Sequence, residues 1–393
     1  MTNTLTSLRK VHYSKNIETN LHDTLIMNDL ARDHSDEFPD GITFEVPQIA
    51  YQQVGNYAGT LATKGITSQK STLTMNLVPI VSWAYDDVDK LKDSWDVLAR
   101  VDTNSVYKLK QQMEGDFFSQ YASARYRNAT PTGVLSTTTA YSTISNAVAT
   151  LVHAGVNPDE ICVVVDAFTA DMIAQQAISS TFSLSDNSFQ RGYTGQKIAG
   201  AMLYRNQNLT ATYQLDLATN PTANDTVTIN GLTFTFVAAV GTTEGNILIE
   251  TDADTTCGYL INCINEASTG VAQAGTGVKY IPFSADNADF LSGFTATDGT
   301  NLMTMVSKHG YRPVTSTMTN ASNDWAAVYT HALVMAKGAF SVAYRRGLQT
   351  DKRPIATSLE YNYSNYLLWG KTVTVEGAKK AYDLIIMSQA AES

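Results

Sequence analysis

"DDVDKLKDSWDVLARVDTNSVYKLKQQMEGDFFSQYASARYRN", Asp86 to Asn128, carries the strongest helical signal in the chain. Asp86 or Asp87 can cap the exposed N–H groups, and Asp89 complements the positive helix end. Val88, Leu91, Trp95 and Leu98 recur at three- and four-residue steps; after "DTNS" the stripe resumes with Val106, Leu109, Met113 and Phe117. That is one apolar face over many turns, with a polar face opposite. Asp102 to Ser105 are weak helix formers and mark a point where the helix can kink. Roughly forty continuous residues at ~1.5 Å each span about 60 Å. A helix of this length with one wet face is a strut, and Pro131 and Gly133 end it.

Upstream, "ITFEVPQI" and "TLTMNLVPIVSWAY" alternate in the manner of two long strands. Between them lie Gly55, Tyr57, Gly59, Leu61, Lys64, Gly65 and Lys70, with few large apolar residues. This predicts a β-ribbon with a glycine-rich tip. A two-stranded ribbon is marginal alone, so the tip must rest on a neighbouring surface. The first forty residues are polar, with short apolar spacings at Leu21, Leu25 and Ile26 and acids at Asp33, Asp36, Glu37 and Asp40. They read as an extended arm with a short helix, stable only when docked.

Downstream, "AYSTISNAVATLVHAGV" is a second amphipathic helix ended by Gly155, and "NPDEICVVVDAFTADMIAQQA" reads turn, buried strand, helix. "GQKIAGAMLYRNQNL" is a strand leading to a turn. Interleaved strands and helices make this region mixed α/β. The composition then shifts: no Lys or Arg occurs from Asn206 to Val278, where Thr, Asn, Asp and Ala dominate. Within that stretch "NDTVTINGLTFTFV" predicts a hairpin with a type I′ turn at Asn230–Gly231. Its register sets Val227, Ile229, Leu232, Phe234 and Phe236 on one face as the core of a separate module, with Thr226, Thr228, Thr233 and Thr235 opposite. A cap at Asp252 or Asp254 opens a helix with Tyr259, Leu260, Cys263 and Ile264 inward. "VKYIPFSA", "DFLSGFTAT" and "NLMTMVS" read as further strands, with a turn at "TDG". "WAAVYTHALVMAKGAFSVAYRRG" is expected to be a helix or a helix–strand passage, and the chain closes on alternating strands ending at Tyr382 to Met387.

The 393 residues are 44% hydrophobic and 16% charged, with net charge −10 and no Lys/Arg run, which disfavours direct nucleic-acid binding as a main function. No apolar signal segment opens the sequence and no window is long and apolar enough for a transmembrane helix, so we expect no membrane association. Cys162, Cys257 and Cys263 form no paired framework and read as small buried hydrophobes, in keeping with a reducing compartment. No HExxH, GxSxG or CxxC is present. "GKT" at Gly370–Thr372 lacks the first glycine of a phosphate loop, and the six histidines are scattered. "TDADT", Thr251–Thr255, fits a helix cap better than a calcium loop. No catalytic residue, cofactor site or metal site is expected.

The order of arm, ribbon, acidic cap, strut helix, α/β middle and terminal strands resembles the major capsid proteins of tailed bacteriophages with the Hong Kong 97-type fold. Ile42–Tyr85 resembles their extended loop, Asp86–Arg127 their spine helix, and Tyr141–Leu209 their axial domain. A module after "RNQNL" is like the insertion domain of short-tailed-phage coat proteins. The resemblance implies an α+β fold divided as arm 1–41, extended loop 42–85, peripheral domain with spine helix 86–140, axial domain 141–210, insertion domain 211–322, and axial return with closing strands 323–393. It implies a non-catalytic subunit forming hexamers and pentamers of an icosahedral head around double-stranded DNA, with a separate scaffolding protein and a portal as partners. Asp33, Asp36, Glu37 and Asp40 are then contacts for a scaffold or neighbour, and Tyr57, Leu61, Lys64 and Lys70 the inter-subunit loop tip. Two other readings remain open: an insert that binds carbohydrate or a host surface, and a nanocompartment shell.

Some capsids of this fold join a ribbon lysine to an asparagine of another subunit; here Lys64 or Lys70 would be donors and Asn362 or Asn365 acceptors, with Glu360 near. Solvated lysines and ordinary strand asparagines explain these residues better. Boiled particles are therefore expected to run as one monomer band on a denaturing gel, and a ladder of multimers would contradict this.

Overall fold

A computed structural model describes residues 25–37, 42–49, 68–86, 97–128, 132–136, 138–179, 197–269, 278–284, 287, 289–345, 348–354 and 360–389. Its centre is the fourteen-residue strand Asn323–Ala336. Along one edge it pairs antiparallel with Ala381–Gln389. Along the other, Ala211–Leu217 takes the first half and Ile161–Val165 the second, end to end. Ala201–Arg205 and Lys197–Ile198 extend the sheet past Ile161–Val165; Leu302–Ser307 and Phe294–Gly299 extend it past Ala211–Leu217.

The sheet is buried on both faces where the strands are most apolar. Ile161, Val163 and Val165 face the helices Ala140–His153 and Ala167–Ser179, joined by Ala332, Val334, Leu384 and Ile386. Cys162 and Val164 point the other way, with Leu333 and Met335, against Met113, Phe117 and Phe118 of the spine helix. This two-sided burial corrects the helical expectation for "WAAVYTHALVMAKGAFSVAYRRG". The segment forms two strands, Asn323–Ala336 and Phe340–Tyr344. A continuous apolar run has no period of its own, so pattern cannot separate a core strand from a buried helix.

The spine helix is described from Val97 to Phe118 and passes into a 3₁₀ turn, Ser119–Ser123. Its 22 residues span about 33 Å at 1.5 Å per residue. It runs through Asp102–Ser105 instead of breaking there. Those polar residues are a docking point: Asn365 Nδ2 donates to Asp102 Oδ1 at 2.6 Å and to Ser105 Oγ at 2.8 Å. Asp86 is no helix cap; it ends the strand Ile80–Asp86 and pairs with Glu360. Asp87, Val88, Asp89, Leu91 and Trp95 lie outside the described residues.

The ribbon strands Thr43–Ile49 and Ser68–Leu77 pair antiparallel, and Val78–Pro79 interrupts the second before Ile80–Asp86. Ser68–Leu77 also joins Trp369–Val373, which ties the ribbon to the body.

The hairpin takes the register its sequence predicts, Val227 opposite Phe234 and Ile229 opposite Leu232. Asn230 and Gly231 have φ of 50° and 86°, the left-handed pair that a type I′ turn requires. Val227, Ile229, Phe234 and Phe236 are fully buried, and Leu232 packs partly buried against them. The hairpin belongs to a four-stranded sheet closed by the helix Ala253–Thr269, whose Asp252 Oδ1 accepts from Thr255 N–H at 2.7 Å. "VKYIPFSA" makes one isolated bridge, Tyr280 to Ile247, rather than a strand. "TDG" lies inside the strand Phe294–Gly299, and the turn falls at Thr300–Asn301. This third core also takes Trp325 and Val328 from the central strand. A bulge between Trp325 and Ala327 lets both face it despite their odd spacing.

Gly370 sits where the ribbon meets the body, at a register shift in the pairing with Ser68–Leu77. A Cβ there would lie 2.3 Å from Thr74 O and 2.9 Å from Met75 Cα. Gly370→Ala is expected to lower the stability of the fold by about 1–3 kcal/mol through forced backbone displacement. An unchanged urea midpoint would contradict that placement.

Candidate inter-subunit surfaces

The described part of the arm docks on the body of its own chain. Ile26, Met27 and Leu30 are buried around the one-turn helix Met27–Leu30. Arg32–Asp33 then pairs parallel with Ser341–Val342. The dock depends on a group absent from the sequence reading, Glu114. Its carboxylate is fully buried; Oε1 accepts from Ile26 N–H at 2.5 Å and Met27 N–H at 3.0 Å. Asn208 Nδ2 donates to Oε2 at 2.8 Å. Burial raises its pKa, and the bonds from Ile26 and Asn208 pull the other way. The available signal was a carboxylate next to Met113 on the apolar stripe, where no solvated partner was in view.

Asp33, Asp36 and Glu37 are exposed on the arm, and Asp40 lies outside the described residues. Asp33 Oδ1 accepts from Ser35 N–H at 2.8 Å, and Glu37 sits 3.2 Å from the buried His34. On the ribbon, Lys70 pairs with Glu45 at 2.6 Å, both largely exposed, a contact worth about 0–1 kcal/mol. Tyr57, Leu61 and Lys64 lie outside the described residues. Ile42, Ile49, Val78 and Ile80, along the ribbon and just past it, are each more than half exposed.

Asn365 is fully buried and bonded to the spine helix, so it is removed as a crosslink acceptor, whereas Asn362 is exposed.

The hairpin-bearing region also braces the spine helix. A Cβ at Gly115 would meet Lys308 O at 2.8 Å, so only glycine admits this approach. Beside it Lys308 Nζ reaches Asp116 Oδ1 at 2.7 Å, and Gln111 Nε2 donates to Asn208 Oδ1 at 3.2 Å.

Other polar groups are structural staples. Asp166 is buried next to the start of the helix Ala167–Ser179; burial raises its pKa while bonds from Thr169 and the Phe168 backbone oppose this. His331 Nδ1 lies 3.0 Å from Asp383 and its Nε2 3.4 Å from Thr212 Oγ1. The order hydroxyl, imidazole, carboxylate has the form of a relay, yet the Tyr121 ring lies flat on the imidazole, 3.8 Å away and 19° from parallel. That packing covers the ring and fastens the 3₁₀ turn to the sheet. Among the described residues, no group of His, Cys, Asp and Glu is placed to hold a metal. All three cysteines are free and buried.

No protein-family model matches the sequence, and no curated protein matches it. The backbone does match solved phage structures over nearly its whole length. One is a structure of Mycobacterium phage Che8, 10% identical, with a TM-score of 0.57 and 97% of each chain covered. Another is the capsid structure of the cyanophage P-SCSP1u, 11% identical, with a TM-score of 0.54, covering 97% of this chain and 94% of that one. At such identity the likeness is one of fold: this is a strand-rich α+β chain with a phage capsid fold.

Glu114→Ala orphans two buried backbone N–H groups at roughly 1–3 kcal/mol each, so a loss of about 2–6 kcal/mol is expected. Glu114→Gln keeps the acceptor oxygen and should cost little in acid. Because the folded-state pKa is raised, the folded protein holds this proton more tightly than the unfolded chain. Stability from this group is therefore lost as pH rises from the ordinary value of 4.5 through the folded value. Urea midpoints of wild type and Glu114→Gln should lie close together in acid and separate toward neutral pH, with the wild-type midpoint falling below that of the variant. Parallel curves would contradict it.

Proposed function

We propose that this chain is the major capsid subunit of a tailed bacteriophage, with the Hong Kong 97-type fold of the short-tailed-phage kind. One observation carries the reading: a fold match to a phage capsid over nearly the full length of both chains. The domain division is proposed as arm 1–41, extended loop 42–85, spine-helix peripheral domain 86–140, axial domain 141–210, insertion domain 211–322 and axial return 323–393. The ribbon's exposed aliphatics and its tip, with Tyr57, Leu61, Lys64 and Lys70, serve as contacts between subunits. Asp33, Asp36, Glu37 and Asp40 meet a scaffold or neighbour. The insert, with Val227, Ile229, Leu232, Phe234 and Phe236 in its core, stabilises the subunit by bracing the spine helix.

In this reading the subunit is structural and catalyses nothing. It self-assembles into hexamers and pentamers of an icosahedral head in the host cytoplasm and stays in the virion around double-stranded DNA. A separate scaffolding protein and a portal take part. Several modest contacts per subunit add through multivalency. An acidic surface keeps packaged DNA from adhering.

Electron microscopy of the assembled protein is expected to show closed icosahedral shells, and particles from infected cells to contain DNA. Shells that carry protein cargo instead would point to a nanocompartment. Monomers that bind glycans and never assemble would overturn the shell reading in favour of a surface-binding module.

A further inference from the structure

The sheet that carries the hairpin buries one face, and its other face bears an ordered array. Side chains alternate across a strand, so with Val227, Ile229, Phe234 and Phe236 inward the residues between them point away from the core. Pairing aligns those residues from strand to strand. Thr226 stands opposite Thr317 on one side and Thr235 on the other, and Asn246 continues the row beyond Thr235. Thr228 stands opposite Thr315 and Thr233 in the next row. Six threonines thus form two rows of three. Neighbours are about 4.8 Å apart across strands, and the rows are separated by about 7 Å along them.

Thr233, Thr315 and Thr317 are exposed, and the other three are half-buried. The hydroxyls of Thr228 and Thr233 lie 3.1 Å apart and bond to each other. Among the described residues, those of Thr226, Thr235, Thr315 and Thr317 have no protein partner. No charged side chain stands in either row. Strand propensity accounts for any one threonine here. The ligand preference follows from all six sharing one uncharged face.

That chemistry excludes most partners. Phosphate backbones and anionic lipid surfaces need clustered cations. Protein hot spots are built on Trp, Tyr and Arg, and threonine is under-represented in them. A hydroxyl both donates and accepts, so an array of hydroxyls is matched by another array of hydroxyls. The threonine methyls lie between them as apolar ground for sugar C–H groups. The strand separation of about 4.8 Å is close to the rise of one sugar in an extended glycan.

We propose that the outer face of the hairpin sheet binds extended, neutral polysaccharide, with successive sugars lying over successive strands. This function is additional to shell formation and rests on that reading for its strength. One face makes a few weak hydroxyl contacts, and many copies on the outside of one particle multiply them.

Co-sedimentation tests it, with microcrystalline cellulose and chitin as probes. Wild-type particles should pellet with at least one of them, and retention should persist at high salt because no charge pair is there to be screened. Thr226→Val with Thr235→Val and Thr317→Val removes one row of hydroxyls, keeps strand-forming side chains, and should lower retention about tenfold or more. The same three positions changed to serine keep the hydroxyls and should retain most of the binding. Electron microscopy and circular dichroism establish that each variant folds and assembles. If the triple valine variant does not, Thr315→Val with Thr317→Val on the exposed edge strand gives the same reading with a smaller loss. Wild-type particles that pellet with neither probe overturn the proposal. So does retention that salt abolishes, and so does a folded valine variant retained at the wild-type level. Wild-type protein that pellets with a probe but never forms shells would uphold the binding face and refute the shell-subunit reading.

Discussion

Everything in this chain hangs on one strand whose second half is buried on both faces. Asn323–Ala336 feeds three cores: Trp325 and Val328 enter one, Ala332 and Val334 a second, Leu333 and Met335 the third. From Ala332 to Ala336 both faces are buried, so that half of the strand has no solvent face along which to slip. A one-residue shift would exchange the contents of two cores at once. The register of the helices above the sheet, and of the spine helix and arm below it, is thereby fixed relative to the region that carries the hairpin.

The spine helix is the second organiser, and it works through polar groups in places that pattern reading assigns to solvent. Glu114 gathers the arm, Asp102 and Ser105 gather the strand of Asn365, and Gly115 admits the backbone of Lys308. Each joins segments about ninety or more residues apart. A buried carboxylate left without these donors would cost several kcal/mol, so the contacts specify where the arm and strands dock as well as holding them.

Local periodicity made much of this legible. The hairpin register, the helix at Ala140–His153, the strand Ile161–Val165 and the buried cysteines follow from spacing and turn chemistry that neighbouring residues determine. The central strand was not legible as a strand, because two-sided burial erases alternation. "VKYIPFSA" has the composition of a strand yet finds only one bridging partner, which sequence cannot foresee. Neither the role of Glu114 nor the bonds of Asn365 to the long helix can be read from sequence, for one shared reason. The value of a polar side chain on a mostly apolar face depends on partners brought in by tertiary structure.

The two strands that bracket the hairpin-bearing region are hydrogen-bonded neighbours, with Ala211 opposite Thr330 and Leu217 opposite Asn323. The chain leaves and re-enters the sheet at adjacent positions about 5 Å apart. A segment with such closely spaced ends can be gained or lost in evolution without moving the frame around it. The seam, however, runs through the central strand. Excising only the residues between these strands would uncover Trp325 and Val328, both fully buried against the lost core. The leading half of the central strand therefore belongs to the same packing unit as the hairpin, although it is continuous with the sheet of the body.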